Sequence, residues 1–516
     1  MEFLLLCGLC SCLSTSVVAE KILLVPMLYG SHVVENLHLG EALASKRHEV
    51  HLALPKVSKY NALVSKSSVK PLTFATADDL VLLESDYITE FAYNVTFHGY
   101  DNFEFMHALT SINDRYCDAI MHQDTFLNSI RDHRFDVVIT PGPLGISCML
   151  ILPYHLNLPF IVFASFNSPW TNGIPALPSF TKAVFYNADG PHGMYKKLLS
   201  AFYLYYTSMD KTMIMSSTDL LEEFAPHVTS WWTLFRRAQL FLTYRDHMLN
   251  DPAPSMPHLI QTPSLSYSDA KPLEPALTNK MTSSHTIVVS FGSAANKMPA
   301  NLAQRFIEAF SQLSDYNVFW RLKNRDNLSL PGHVHLLDWL PQNDLLGHNT
   351  TRLFIGHCGA GGVYEALYHA VPILCFPLFG EQEHNAYMVV KRDYGVRMSI
   401  KSFTSAELLQ NMHDVMTNKR IRHAVTKASA ILHDRRAPAD EMTYWIEHVM
   451  KHGGEHLRSA TIDMPLYEFL CLDIVVVVVL TALVIFSFIA FILYRISKYC
   501  CGLIVRNRMG SKPKHE

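Results

Sequence analysis

An α/β chain with two open parallel sheets is the architecture this sequence calls for. A βαβ pattern opens at residue 21, another opens at about residue 284, and a proline-rich stretch separates the two. With 516 residues, 49% of them hydrophobic, there is material for two ordinary cores and for appendages at both ends. A formal net charge of −3 gives no electrostatic footprint for nucleic acid.

Residues 1–19 form an apolar leader, Phe3-Leu4-Leu5-Leu6-Cys7 onward, closing on Val17-Val18-Ala19. Its hydrophobic stretch is too short to span a bilayer and small residues occupy the cleavage positions, the pattern of a secretory signal peptide. Strands at 21–26 and 49–54 flank a helix at 33–46, so the loop holding His32 lies at the mouth of a parallel sheet. Phe135-Asp136-Val137-Val138-Ile139-Thr140 is a further strand. From residue 169 to about 240 the pattern turns to aromatic-rich helical stretches, such as Ala201-Phe202-Tyr203-Leu204-Tyr205-Tyr206 and Trp231-Trp232. Pro252, Pro254, Pro257, Pro263, Pro272 and Pro275 argue against helix or central strand in residues 251–275. A first domain at 20–250, a linker at 251–283 and a second domain at 284–455 follow from these breaks.

In the second half, Thr286-Ile287-Val288-Val289-Ser290 reads as a buried strand and Phe291-Gly292-Ser293 as the turn before a helix at 300–313. Strands at 318–322, 334–337, 353–356 and 373–377 complete an open sheet, and helices at 406–418 and 424–452 follow. The chemistry concentrates in residues 339–382, where Phe354-Ile355-Gly356-His357-Cys358-Gly359-Ala360-Gly361-Gly362-Val363-Tyr364-Glu365 is an apolar strand entering a glycine-rich turn and then a helix. Such a helix aims unpaired N–H groups and the positive end of its dipole at a ligand, which suits a phosphate. His357 can donate to a phosphate oxygen, Glu365 lies about one turn past the last glycine, and Glu381-Gln382 follows the next buried strand. A lone Gly-x-Gly after a strand is usually only a tight turn. Trp339, Gln342, His357, Glu365, Glu381 and Gln382 occurring together in one βαβ-sized segment weigh against that. No ligand set for a divalent metal is evident.

Trp339-Leu340-Pro341-Gln342-Asn343-Asp344-Leu345-Leu346-Gly347-His348, the His357 turn and Pro377-Leu378-Phe379-Gly380-Glu381-Gln382 together resemble the donor-binding signature of the UDP-glycosyltransferases. The closest branch is the animal membrane-bound UDP-glucuronosyltransferase and glucosyltransferase group, and the resemblance runs from leader to tail. It implies the GT-B fold: two facing Rossmann-like domains, the first for acceptor and the second for UDP-sugar, with a C-terminal transmembrane helix. By this resemblance Trp339 and Gln342 hold the uracil end, while Ser293, His357 and the N–H groups of Gly359, Gly361 and Gly362 hold the diphosphate. Glu365 accepts from the ribose, and Glu381 and Gln382 bind the sugar. Arg321 matches a donor-binding arginine, although an ordinary surface pairing at a strand end explains it equally well. Gly30-Ser31-His32 matches the motif of the catalytic base, so His32 is expected to take the acceptor proton as the sugar transfers with inversion. No tightly bound cofactor is expected. UDP-glucose or UDP-glucuronate is the co-substrate, a small lipophilic alcohol, phenol or acid is the acceptor, and homo-oligomers fit the family.

Several positions depart from the family pattern. Pro141 stands where most members carry an Asp that orients the catalytic His. Either His32 works unassisted, another acid such as Glu35 or Asp136 substitutes, or turnover is slow or absent and the chain is a non-catalytic membrane-anchored binder. Ala360 and Gly361 replace a small polar residue and an Asn, removing two side-chain donors to phosphate, and Glu381 replaces the usual Asp. Arg245 is the nearest counterpart of the vertebrate arginine for a glucuronate carboxylate; out of register, it leaves a neutral hexose favoured, and UDP-glucose is expected by a narrow margin.

Residues 474–494 are uninterruptedly apolar, long enough at about 1.5 Å per residue to cross about 30 Å of hydrocarbon. The tail at 495–516 carries Arg495, Lys498, Arg506, Arg508, Lys512 and Lys514 against Glu516, which makes it cytoplasmic and leaves Glu20 onward, through a juxtamembrane segment at 456–473, in the lumen. Lys512-Pro513-Lys514-His515-Glu516 resembles a dilysine retrieval signal, so a single-pass type I protein of the endoplasmic reticulum membrane is expected. Asn94, Asn327 and Asn349 head glycosylation triplets. Cys117, Cys148, Cys358, Cys375 and Cys471 are spread out and odd in number, which argues against a disulfide scaffold. Cys500 and Cys501 read as unmodified thiols in preference to palmitoylated ones.

Overall fold

The computed structural model describes residues 19–509 except 29, 78–92, 98–101, 143–146, 165–171, 173, 175–217, 245, 283, 293–297, 324–327 and 470. The leader through residue 18, the aromatic stretch 201–206, Arg245, Ser293, Asn327 and the dilysine tail lie outside the described residues.

Two wholly parallel sheets organise the chain up to Ser459. The first comprises β1 (Lys21–Leu24), β2 (Glu49–Pro55), β3 (Lys70–Phe74), β4 (Val137–Pro141), β5 (Phe160–Ala164), β6 (Leu240–Thr243) and β7 (Leu259–Gln261), in the order β3-β2-β1-β4-β5-β6-β7. Runs such as Val137-Val138-Ile139 and Phe160-Ile161-Val162-Phe163 are buried throughout, as strands covered on both faces must be. Strand order reverses beside β1, which pairs with β2 through Ile22↔Val50 and with β4 through Ile22↔Val137. A crevice opens at the carboxyl ends of such strands, and helix α1 (Gly30–Ser45) starts there. His32 therefore falls within the first turn of a helix that begins earlier than the apolar pattern suggests, not in the preceding loop.

The second sheet comprises β8 (His285–Ser290), β9 (Tyr316–Arg321), β10 (Val334–Leu337), β11 (Thr351–Gly356), β12 (Ile373–Cys375) and β13 (Gly395–Arg397), in the order β10-β9-β8-β11-β12-β13. Its reversal lies at β8, paired with both β9 and β11, so the turns after β8 and β11 share one crevice. Phe306, Phe310, Trp320, Phe354 and Phe376 fill its core.

The linker holds two short elements that its prolines allow, and three other sequence readings need correction. Residues 251–283 are not wholly irregular: β7 joins the edge of the first sheet, and a short helix, Pro275–Met281, begins on a proline. Neither breaks the proline rule, since an edge strand between Pro257 and Pro263 and a first helical position both tolerate the missing N–H. The helix expected at 424–452 is two, Lys419–Asp434 and Pro438–His452, because Pro438 ends one and suits the start of the next. The second of these leaves its own domain as delimited above: Met442, Ile446 and Val449 are buried in the core of the first sheet, and Glu447 reaches His48 at 3.1 Å. Finally, Cys117–Cys148 and Cys358–Cys375 form disulfides despite their wide spacing.

Residues 460–516 form a separate unit. Its helix Leu472–Met509 contains an apolar stretch, Leu472–Ile504, long enough to cross a membrane, whose 18-residue apolar window has a mean hydropathy of 3.2, with Val477 and Phe486 exposed.

Candidate active site

The second sheet builds its half of the crevice from backbone. After β11, Cys358 takes a left-handed φ of 60° and Gly359 becomes the N-cap of helix Ala360–Tyr368. Val363, Tyr364, Ala366 and Leu367 anchor that helix in the core, while no side chain caps its first turn. The N–H groups of that turn lack intrahelical acceptors, which prepares them for an anion. His357 is wedged between two glycines. A Cβ at Gly292, itself at φ +79°, would meet its Cε1 and Nε2 at 2.8 Å, and one at Gly359 would come within 2.5 Å of Nε2. Burial, with the Arg321 charge adding and a Ser290 backbone contact opposing, pushes the His357 pKa down to about 4, so the ring is neutral at pH 7. The Cys358–Cys375 disulfide ties the turn to the end of β12, and Asn385 donates to the Cys358 carbonyl at 2.9 Å.

Around this turn the other expected donor residues gather. Arg321, at the end of β9, lies 5.2 Å over the Trp339 ring and donates to the Asp338 carbonyl at 3.3 Å; Trp339 is 68% exposed. Gln342 opens the next helix and donates from its amide to Glu365, and a Cβ at Gly362 would lie 3.2 Å from that amide nitrogen. Glu381 is the N-cap of helix Gln382–Lys391, and Gln382 Oε1 accepts from the Leu378 and Phe379 N–H groups at 2.9 and 3.2 Å. That fixes the carbonyl end of Gln382 within its loop. The structure thus brings Arg321, Trp339 and His357 together, and Gln342 together with Glu365.

The first sheet contributes His32, whose pKa burial lowers to about 4. Asp136 does not approach it. That carboxylate accepts from the Lys21 N–H at 2.7 Å, at the amino end of the strands and on the far side of the sheet from α1's start. Glu35 is also engaged elsewhere, taking hydrogen bonds from Ser264 Oγ and from the Leu265 N–H at 2.8 Å. The contact to His32 that sequence reasoning missed is Tyr244, whose Oη stands 3.0 Å from Nδ1.

Two threads join the halves. Ser264 Oγ lies 2.7 Å from Ser266 Oγ, and a Cβ at Gly361 would sit 2.9 Å from Ser266 Oγ, so the linker serines occupy the space a side chain at 361 would take. Through Ser264 they connect Glu35 of α1 to the donor turn. The second thread is Asp246, just past β6, which accepts from the Tyr364 hydroxyl on helix Ala360–Tyr368 and from Arg435. Desolvation raises Glu35 to about 7 and Glu365 to about 8, and the charge of Glu35 adds to the rise at Glu365. A charge on Glu35 in one half therefore disfavours ionisation of Glu365 in the other.

Paired parallel sheets of this kind, each with a helix start at its switch point, define the GT-B glycosyltransferases. The solved glycosyltransferase of kitacinnamycin superposes with a TM-score of 0.59 at 16% identity, covering 84% of this chain and 99% of its own. A UDP-glucosyltransferase from Polygonum tinctorium capable of glucosylating indoxyl superposes at 0.58 with 15% identity, over 84% and 99%. The family model described as "UDP-glucoronosyl and UDP-glucosyl transferase" matches residues 20–510, and the chain belongs to that family. Mammalian relatives include UDP-glucuronosyltransferase 1A6 of Mus musculus, 29% identical over 96% of this chain and 94% of the relative. UDP-glucuronosyltransferase 2B14 of Oryctolagus cuniculus is 28% identical over 92% of each. This protein is a UDP-glycosyltransferase.

Proposed function

We propose that this enzyme moves a hexosyl group from a UDP-sugar to a hydroxyl of a small lipophilic acceptor in one inverting displacement. The observation that carries the reading is the uncapped, glycine-rich helix start of the second sheet facing α1 of the first through Glu35, Ser264 and Ser266. The diphosphate docks on the N–H groups of residues 359–362 beside His357 and Ser293. Trp339, Arg321 and Gln342 take the uracil end, Glu365 the ribose, and Glu381 and Gln382 the sugar. As the acceptor oxygen bonds to the anomeric carbon, its proton passes to His32. The bond from that carbon to UDP breaks, and the diphosphate leaves with the electron pair toward the helix dipole. Burial keeps His32 unprotonated down to about pH 4, so the base form is populated at neutral pH.

UDP-glucose is the donor favoured by a narrow margin. UDP-glucuronate is the competitor, since the mammalian relatives carry glucuronosyl in their names. Residues 20–250 hold the acceptor and 284–455 the donor. The apolar helix anchors the chain once in the endoplasmic reticulum membrane with both domains lumenal, a setting in which the two disulfides persist. The test is transfer from radiolabelled UDP-glucose and UDP-glucuronate to a panel of phenols by microsomes carrying the full chain, beside His32→Ala. Transfer lost in the variant supports the reading; no transfer above background from either chain favours the non-catalytic binder that Pro141 suggests.

A further inference from the structure

With proline at 141, the imidazole of His32 needs another group to choose its tautomer. A general base must present an unprotonated nitrogen to the acceptor, so the proton of neutral imidazole must sit on the other nitrogen and be held there. Pro141 closes β4 with neither carboxylate nor N–H, and it pairs across to Phe163 on β5. Asp136 is at the wrong end of the sheet, and Glu35 is held by Ser264 and Leu265.

We propose that Tyr244 is the positioning residue of His32: its hydroxyl oxygen accepts from Nδ1–H at 3.0 Å and so leaves Nε2 as the base. This rests on the reading of His32 as the base. The placement is built, not incidental. Tyr244 is 6% exposed, follows directly on β6, and its ring meets Phe163 edge-on at 5.3 Å. Two residues on, Asp246 is fixed by Tyr364, Arg435 and the Met248 N–H, so the chain carrying Tyr244 is clamped to the helix that bears the donor turn. Among the described residues, Glu35 on α1 and the Asp246–Arg435 pair beyond β6 flank this contact, and each is engaged with other partners.

A phenol differs from the missing carboxylate in charge. It fixes ring orientation and tautomer without a negative charge to stabilise the imidazolium that forms when the acceptor proton arrives at Nε2. The proton then passes to solvent once UDP has left. Because the Nδ1–H donor is stronger in the imidazolium, the hydrogen bond favours the protonated ring, and its removal lowers the pKa of His32.

The test is Tyr244→Phe in the full chain in microsomes, which keeps the ring on Phe163 and removes only the oxygen. Expected are a fall in kcat of about 10- to 100-fold, KM for donor and acceptor within about threefold, and an acid limb of kcat/KM displaced downward by about half to one pH unit. Pro141→Asp added to Tyr244→Phe should recover part of kcat and move the acid limb back up; thermal melting with UDP reports whether each variant is folded. Unchanged kcat and acid limb in Tyr244→Phe would overturn the proposal, as would a kcat loss with an unmoved limb, which is the mark of a packing role. If His32→Ala retains full activity, the reading of His32 fails and the proposal with it. If His32→Ala is inactive while Tyr244→Phe is normal, only the proposal fails.

Discussion

Residues around the donor turn, from Trp339 to Gln382, come from one stretch of chain, whereas His32, on helix α1, and Tyr244, just past β6, meet across 212 positions. The contiguous half leans on backbone. Gly359 caps its helix, Gly292 and Gly359 make room for one imidazole, and the loss of polar side chains at Ala360 and Gly361 leaves the N–H groups in place. The dispersed half leans on side chains: Tyr244 is brought to His32 from the far end of β6 rather than from its own stretch of chain. A site made of backbone tolerates sequence change; a site made of side chains must be rebuilt.

Four measurements sharpen or break that contrast. The largest effect belongs to the dispersed half: His32→Ala should lower kcat by roughly 10²- to 10⁴-fold while leaving UDP affinity unchanged in calorimetry. Next, Cys358→Ser releases a crosslink between residues 17 apart, which costs about 3 kcal/mol by the chain-entropy account and lowers the denaturation midpoint. UDP affinity should weaken with it, whereas Cys117→Ser should leave UDP affinity intact. Third, His357→Ala removes one hydrogen bond to a charged diphosphate, about 1.5–3 kcal/mol, so UDP should bind roughly 10- to 100-fold less tightly with kcat at saturating donor nearly preserved. A collapse of kcat instead would place chemistry, not binding, at that turn.

The smallest effect is in pH dependence. Burial pushes Glu35 up to about 7 and Glu365 up to about 8, from an ordinary carboxyl value of 4.5. Their contribution to stability is complete below about pH 4.5 and is lost as pH rises through 7 to 8, because the unfolded chain gives up those protons first. The depressed pKa values of His32 and His357 act oppositely between about 4 and 6.5 and are common to parent and variant. Glu365→Gln should therefore gain Tm relative to the parent between pH 5 and 8.5. A constant difference would mean that Glu365 does not titrate in this range.

What could be read from sequence follows the same division. The strand, turn and helix at 353–368 are local, set by apolar runs and glycine positions, and they stand close to where the pattern put them. Tyr244 could not be found that way. It lies in Leu242-Thr243-Tyr244-Arg245, where the neighbouring cation is the more conspicuous residue, and its meeting with His32 depends on β1, β4, β5 and β6 being laid side by side. The disulfides were hidden for the same reason: Cys375 lies opposite Gly356 only because β12 pairs with β11. By contrast, the break at Pro438 is local proline chemistry that the single helix expected at 424–452 left out of account.

The return of helix Pro438–His452 to the first core bears on how a soluble enzyme is to be prepared. Truncation near residue 435 would strip Met442, Ile446 and Val449 from the core of the first sheet and remove Glu447 from His48, leaving an apolar scar on a domain whose own sequence is untouched. Ending the chain at Ser459 keeps that helix, together with the Gly454 and Arg458 hydrogen bonds to Gln239 and Arg236. A fragment beginning at residue 284 would carry the same helix with nothing to cover it, so the second-sheet half on its own should be prone to aggregate.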